Sequence, residues 1–322
     1  MTKVISPKLI LILLIIISSS FIFSAIDKND RAKHQKEINE NYAIYAPITP
    51  TKISFCGEIM PIKEKKLRER LDREIIVNTY WQSQTIIFIK KANKYFSVIE
   101  PILKKNGVPD DFKYLAIAES GLSNVVSPSG ATGFWQIMKL TGKERGLEIN
   151  TEVDERYHLE KSTYAACSYI LEAYEKFNSW TLAAAAYNMG ISGLEKQMLR
   201  QNENNYYDLL LNSETARYIF RITAIKEILE NQKKYGFHLR EQDLYQPEKY
   251  DIVLLDSSVY DFAEYSSKLE MNYKILKELN PWLRQSYINN TQENQYFIKV
   301  EKNMTSDTSI NMFKKDSTMF NN

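Results

Sequence analysis

A helix that is apolar on nearly every side has to lie at the centre of a fold, and this chain contains one: Tyr114-Leu115-Ala116-Ile117-Ala118-Glu119-Ser120-Gly121. Asp110 is a good N-cap for a helix Phe112–Ser120, and Gly121 is a good stop. Phe112, Leu115, Ala116 and Glu119 stand at i, i+3, i+4 and i+7, which puts Glu119 on an apolar face. A carboxyl group there loses hydration. Its charged form is disfavoured, its pKa rises, and it keeps a proton available for general-acid work near neutrality. A glutamate in the last helical turn can equally swing to solvent past Gly121, so periodicity alone leaves both readings open.

The surrounding chain supplies helices to bury this one. Helical patterns run at about 134–146, 160–177, 180–188, 192–200 and 213–235, and Pro101 can open a helix at Ile102 before the break Asn106-Gly107-Val108-Pro109. Residues 123–133 are the one turn-rich stretch inside this region. Residues 27–75, with Pro47, Pro50 and Pro61 and the charged run Lys63–Glu74, read as a linker with some helix near its end. From Tyr250 the pattern changes. Tyr250–Leu254 predicts a strand, 259–280 two short helices, and Gln295–Val300 a second strand, followed by a polar tail over 303–322 expected to be mobile.

Composition excludes several classes. The 42 Lys+Arg nearly balance the 40 Asp+Glu, which argues against nucleic acid as a partner. Two cysteines, Cys56 and Cys167, make no disulfide framework, and three histidines are too few for a histidine-based metal site. Cys167 is expected to be buried in its helix, and Cys56 to lie in the linker. Residues 1–26 begin with Lys3 and Lys8 and continue through the apolar run Leu9–Ile17, with no acid before Asp27. They read as an export segment, either a cleaved signal peptide or a retained membrane anchor.

Five motifs then follow one another. Glu119-Ser120 is succeeded by Gly130-Ala131-Thr132-Gly133-Phe134-Trp135-Gln136-Ile137-Met138, by Asp154-Glu155-Arg156 with Glu160-Lys161-Ser162-Thr163, by Ala184-Ala185-Ala186-Tyr187-Asn188-Met189-Gly190, and by Glu214-Thr215-Ala216-Arg217-Tyr218. In this order, over Ile99 to about Leu229, the chain resembles the family of lytic murein transglycosylases with a lysozyme-like fold. Phe134 stands where the family usually has Leu, and Met189 where it usually has Ala.

The resemblance implies a mainly α protein, with a lysozyme-like catalytic domain over 76–240. It implies that Glu119 is the catalytic acid and then base, and that Ser120, Gln136, Tyr187, Asn188 and Tyr218 bind or orient the glycan. Trp135 is either core or sugar platform, and the Asp154-Glu155-Arg156 trio is expected to tie the helix starting near Glu160. Most glycosidases use two flanking carboxylates, but no Asp or Glu lies between Glu119 and Glu144. The implied chemistry needs only one acid, because the attacking hydroxyl belongs to the substrate. Peptidoglycan glycan strands are the implied partner, the chain is expected to act as a monomer in the bacterial cell envelope, and no metal or cofactor is called for. Residues 250–302 resemble a LysM peptidoglycan-binding module, with Leu255-Asp256-Ser257-Ser258 in place of the usual Gly-Asp-Thr-Leu. The mainly α chain would thus end in a small α+β module. Two other readings stay open at this point: a hydrolytic muramidase on the same fold, and a non-catalytic wall-binding protein.

Overall fold

The computed structural model describes residues 29–40 and 45–302. The export segment expected at 1–26 and the tail expected at 303–322 lie outside the described residues. Among those described, no helix is long and apolar enough to cross a membrane. The chain divides at Ala46 into two units. In the first, residues 29–40 form a helix, α1, exposed along nearly all its length.

The second unit opens with a hairpin of β1 (Ser54–Phe55) and β2 (Glu58–Ile59). Its turn is Cys56-Gly57, with φ of 51° and 81°, the paired left-handed geometry that matches the twist of a two-residue hairpin. Ile53, Phe55, Met60 and Ile62 are buried in the main core. The linker expected over 27–75 is therefore corrected. α1 occupies part of it, 47–62 pack into the core, and α2 (Lys65–Tyr80) begins inside the charged run. Apolar residues two apart on so short a hairpin leave little periodicity to read.

α3 (Gln82–Lys105) runs through Pro101, which does not open a helix as expected. Pro101 and Ser97, whose carbonyl loses its usual partner there, are both exposed, so that carbonyl is open to solvent. α4 (Lys113–Ser120), preceded by a single 3-10 turn at Asp110–Phe112, is the central helix. It is stopped by Gly121 at φ 60°, whose N–H bonds to Ile117 O at 2.8 Å. α4 packs between α3 and α9 (Ser213–Glu230). α6 (Leu159–Phe177), α7 (Trp180–Met189) and α8 (Ile191–Gln201) complete the body. Ala183 to Ala186 of α7 are fully buried, and their small side chains let α7 sit close to both α6 and α9.

The helix expected from 134 starts only at Lys139, as α5 (Lys139–Glu144). Residues 123–138 instead form a looped ladder, with bridges Val126 to Thr132 and Thr132 to Ile137. Gly130, Gly133 and Gln136 all have positive φ within it, which no helix accommodates.

In the C-terminal part, β3 (Tyr250–Leu255) pairs antiparallel with β4 (Tyr296–Glu301), around α10 (Phe262–Lys268) and α11 (Tyr273–Leu279). Its core of Phe262, Leu276, Trp282, Leu283 and Ile298 includes Val153 from the helical body. The described residues are thus mainly α, with a small α+β module over 250–302.

Both cysteines are free. Cys167 is buried, and burial pushes its thiol up to about 12. Cys56 sits in the hairpin turn rather than in a linker; burial, reinforced by Asp111 and Glu58, raises its thiol far above the usual range. Alkylation of the native protein at neutral pH should therefore be about tenfold or more slower than that of a free thiol, because the thiolate is the reactive form. Denatured, non-reduced protein should label at both positions. A disulfide-linked species would contradict this.

Candidate active site

Phe112, Leu115 and Ala116 are fully buried, and Glu119 follows on the same stripe, half-buried where α4 ends. The side chain does not swing out past Gly121. It faces α9, where the buried Tyr218 donates a short hydrogen bond from its hydroxyl to Glu119 Oε1. Burial pushes the Glu119 carboxyl up; the Tyr218 bond draws it down, Glu214 raises it and Arg221 lowers it, and it settles at about 7.

The ladder 123–138 forms the adjoining wall. Ser120 donates from its hydroxyl to Phe134 O at 2.7 Å and to Ala116 O at 3.1 Å. Tyr187, at the end of α7, donates to Trp135 O at 2.7 Å. Burial raises the Tyr187 hydroxyl well above its ordinary value, and the nearby Glu119 charge adds to this. The Gln136 amide donates to Gly133 O at 2.8 Å and Val125 O at 3.1 Å, so its Nε2 fastens the ladder. Asn188 is fixed from both ends, donating to Glu214 Oε1 at 3.2 Å and accepting from Thr215 Oγ1 at 2.7 Å.

The six residues singled out from the sequence are therefore joined directly or through one neighbour. Glu119 and Tyr218 bond to each other, and Ser120 and Tyr187 hold successive carbonyls of the wall that carries Gln136. Asn188 meets the first turn of α9, one turn before Tyr218. Trp135, open between two readings, is core: it is fully buried and its Nε1 donates to Thr163 Oγ1 at 2.8 Å.

Two contributions were not visible in the sequence. Glu74 of α2 is 1% exposed and receives Arg73 at 2.6 Å and Arg217 at 2.8 Å, with Arg221 at 3.9 Å. It bonds Arg73 and Arg217 and lies near Arg221, the cation felt at Glu119. Arg156 is the second. Besides its bonds to Asp154, it reaches the ladder, donating from Nη1 to Gly130 O at 3.1 Å and Ile137 O at 3.2 Å. Lys63–Glu74 reads as the charged end of a linker, and nothing in it marks Glu74 as the buried member.

A single protonatable carboxyl, backed by a phenol and walled by a pinned loop, suits proton transfer to a bound substrate oxygen. Residues 96–210 match the family described as Transglycosylase SLT domain, and 251–304 match the Soluble lytic transglycosylase C-terminal LysM-like domain. Over residues 96–210 the chain is thus similar to a transglycosylase SLT domain. Two curated relatives are similar to it, both named Membrane-bound lytic murein transglycosylase D. One is from Escherichia coli strain K12 and one from Escherichia coli O6:H1 strain CFT073. Each is 29% identical over 199 residues, covering 59% of this chain and 43% of the relative. The chain thus spans less than half the length of the relatives it matches. Within the SLT domain lie Glu119, Ser120, Gln136, Tyr187 and Asn188, whereas Tyr218, Arg221 and Glu74 stand outside its matched limits.

The Tyr218 bond has a measurable consequence. It favours the ionised form of Glu119, so Tyr218→Phe should raise the Glu119 pKa further above about 7. The alkaline limb of the pH–rate profile should move to higher pH while turnover at its optimum falls by about tenfold. An unmoved limb would show that Tyr218 does not act on Glu119.

Proposed function

We propose that this chain is an exported peptidoglycan lytic transglycosylase of the bacterial cell envelope, working in cell wall remodelling. The observation that carries the reading is Glu119: one carboxyl group, raised to about 7 by burial and hydrogen-bonded by Tyr218. Such a group can give a proton and take one back near neutral pH, which is what a single-acid reaction requires.

In the proposed reaction Glu119 protonates the glycosidic oxygen between N-acetylmuramic acid and N-acetylglucosamine. The bond from that oxygen to C1 breaks, and the neighbouring N-acetyl carbonyl stabilises the positive centre. The Glu119 carboxylate then removes the proton from the C6 hydroxyl of the same sugar as that oxygen bonds to C1. The acid is restored, no water is consumed, and the product ends in a 1,6-anhydro sugar. The nucleophile is tethered to the electrophile, which replaces a positioned water with a high effective concentration. Ser120, Gln136, Tyr187, Asn188 and Tyr218 would line or hold this site, and peptidoglycan glycan strands would be the partner. The export segment at 1–26 would place the chain in the periplasm, free or anchored.

Hydrolysis is the second reading, because the charge of Glu214 is felt at Glu119 and could serve a water. Glu214 is exposed and already engaged by Asn188, which favours the single-acid route. Digesting purified peptidoglycan and weighing the released muropeptides tests this. Anhydro ends, one water lighter than reducing ends, are expected. Reducing ends would establish the hydrolase, and no release would establish a wall-binding protein.

A further inference from the structure

Between α5 and α6 the chain leaves the helical body and runs along the C-terminal module. On the module side, Val153 bridges Leu283 and enters the module core. Asp154 N–H donates to Trp282 O at 2.9 Å, and Arg284 N–H donates to Glu152 O at 2.7 Å. Asn289 gives its backbone N–H and its amide to the Glu152 carboxylate at 2.7 and 2.9 Å. The Tyr296 hydroxyl meets Glu148 at 3.0 Å, and Lys299 meets Glu160 at 2.6 Å. Burial alone would raise the Glu160 carboxyl, yet His158 and Lys299 hold it well below the usual range.

On the body side, the same segment grips the wall of the candidate active site. Asp154 is the pivot: its backbone N–H goes to the module and its carboxylate goes to Arg156, at 2.9 and 2.7 Å. The guanidinium spans two carbonyls of the ladder, Gly130 O and Ile137 O. Arg156 O lies so close to Gly133 that a Cβ there would come within 2.1 Å of it. Between those anchor points are Phe134 O and Trp135 O, the acceptors for Ser120 and Tyr187, and Gln136 itself.

We propose that the C-terminal module is a positioning element of the candidate active site. Docked on residues 148–160, it holds Arg156, and Arg156 holds the Gly130–Ile137 wall against Glu119. This rests on the reading of Glu119 as the acid of a glycan-cleaving site. The module's segment Arg284–Asn289 is committed to Glu152 of the same chain, so its contribution reaches the substrate through the wall. Small displacements of positioning groups cost up to about a hundredfold in rate, which gives such a buttress its leverage.

The test uses full-length protein carrying Glu152→Ala with Tyr296→Phe, which cuts side-chain contacts between module and segment and touches nothing in the candidate active site. Three quantities are read: amide exchange over 125–137 without substrate, turnover of soluble glycan fragments too short to reach the module, and binding to intact sacculi. Exchange in 125–137 should quicken by about tenfold and kcat should fall by about tenfold, with KM within about twofold and sacculus binding unchanged. Arg156→Lys, which keeps the charge but loses the planar fork, should give an intermediate exchange and kcat. Loss of sacculus binding with wild-type exchange and kcat would overturn the proposal and make the module an autonomous glycan binder. If the double variant does not fold, Asn289→Ala at an exposed position carries the same three readouts. The exchange measurement needs no catalysis, so it stands or falls separately from the lytic reaction.

Discussion

Glu119→Gln should leave the chain folded and lower glycan cleavage by about 10²–10⁴-fold, the usual weight of a positioned general acid. Glutamine keeps the shape and can still meet Tyr218, but it has no proton to give. In the wild type, kcat/KM should fall about tenfold per pH unit above about 7, where the carboxyl loses its proton. Stability carries a second signature with a defined sign. The folded-state pKa of Glu119 is raised above the unfolded value of 4.5. Its proton is therefore bound more tightly in the native state, which is favoured at low pH and loses that advantage as pH rises towards 7. Glutamine does not titrate. The variant should match the wild type in urea unfolding near pH 4 and exceed it by about 1–3 kcal/mol near pH 8, the half-buried position tempering the effect. A variant with undiminished cleavage, or one less stable than wild type at pH 8, would remove Glu119 from the role of buried acid.

Gly133→Ala should be among the most damaging small substitutions in the chain. Gly133 has φ +83°, and the added Cβ would stand 2.1 Å from Arg156 O, a backbone atom that cannot step aside alone. Gly130 has nearly the same φ, +84°, with nothing within 4 Å of its missing Cβ. The pair separates conformational strain from collision. Gly130→Ala should cost about 1 kcal/mol, and Gly133→Ala about 3–5 kcal/mol with loss of glycan cleavage, because the wall must lift from Arg156. Equal urea midpoints for the two variants would mean that the ladder relaxes freely around the new methyl group.

The central helix and its acid were legible because an apolar stripe with one carboxylate is a local pattern, and α4 realises it as spaced. α6, α7, α8 and both module strands announced themselves through period and flanking turn residues, with ends displaced by a residue or so, whereas α2 lay in the expected linker and α5 and α9 are each shorter than expected by five residues at one end. What stayed hidden was long-range. The hairpin at 54–59 offers two residues per strand, too few for alternation. Its membership in the core depends on partners more than fifty residues away, such as Asp111, whose carboxylate accepts from Cys56 N–H at 2.6 Å. Trp135-Gln136-Ile137 continues an apolar run that suits a helix, and only the left-handed backbone at Gly133 and Gln136 breaks it. Gln136 and Ser120 were singled out as glycan contacts; the structure adds that both spend hydrogen bonds on the wall. The trio at 154–156 was expected to tie a helix, and Glu155 does reach Lys161 of α6. That the same trio joins the module to the wall of the candidate active site requires knowing that Trp282 lies beside Asp154.

The hairpin also bears on how the molecule comes together in time. Glu58 supplies both carboxylate oxygens to the start of α7, accepting from Ser179 Oγ at 3.0 Å, Trp180 N–H at 2.7 Å and Thr181 N–H at 2.9 Å, across separations of 121 to 123 residues. Lys226 of α9 reaches Ser54 O over a separation of 172. Contacts of that span require a large loop to close before they contribute anything, and they slow the search for the native state. The first structured residues of the second unit are thus among the last to find their partners. A growing chain that ends short of α9 can already set Phe55 against Phe112 and Glu58 against α7, but the contact of Lys226 with Ser54 waits for α9, which completes the hairpin's partners.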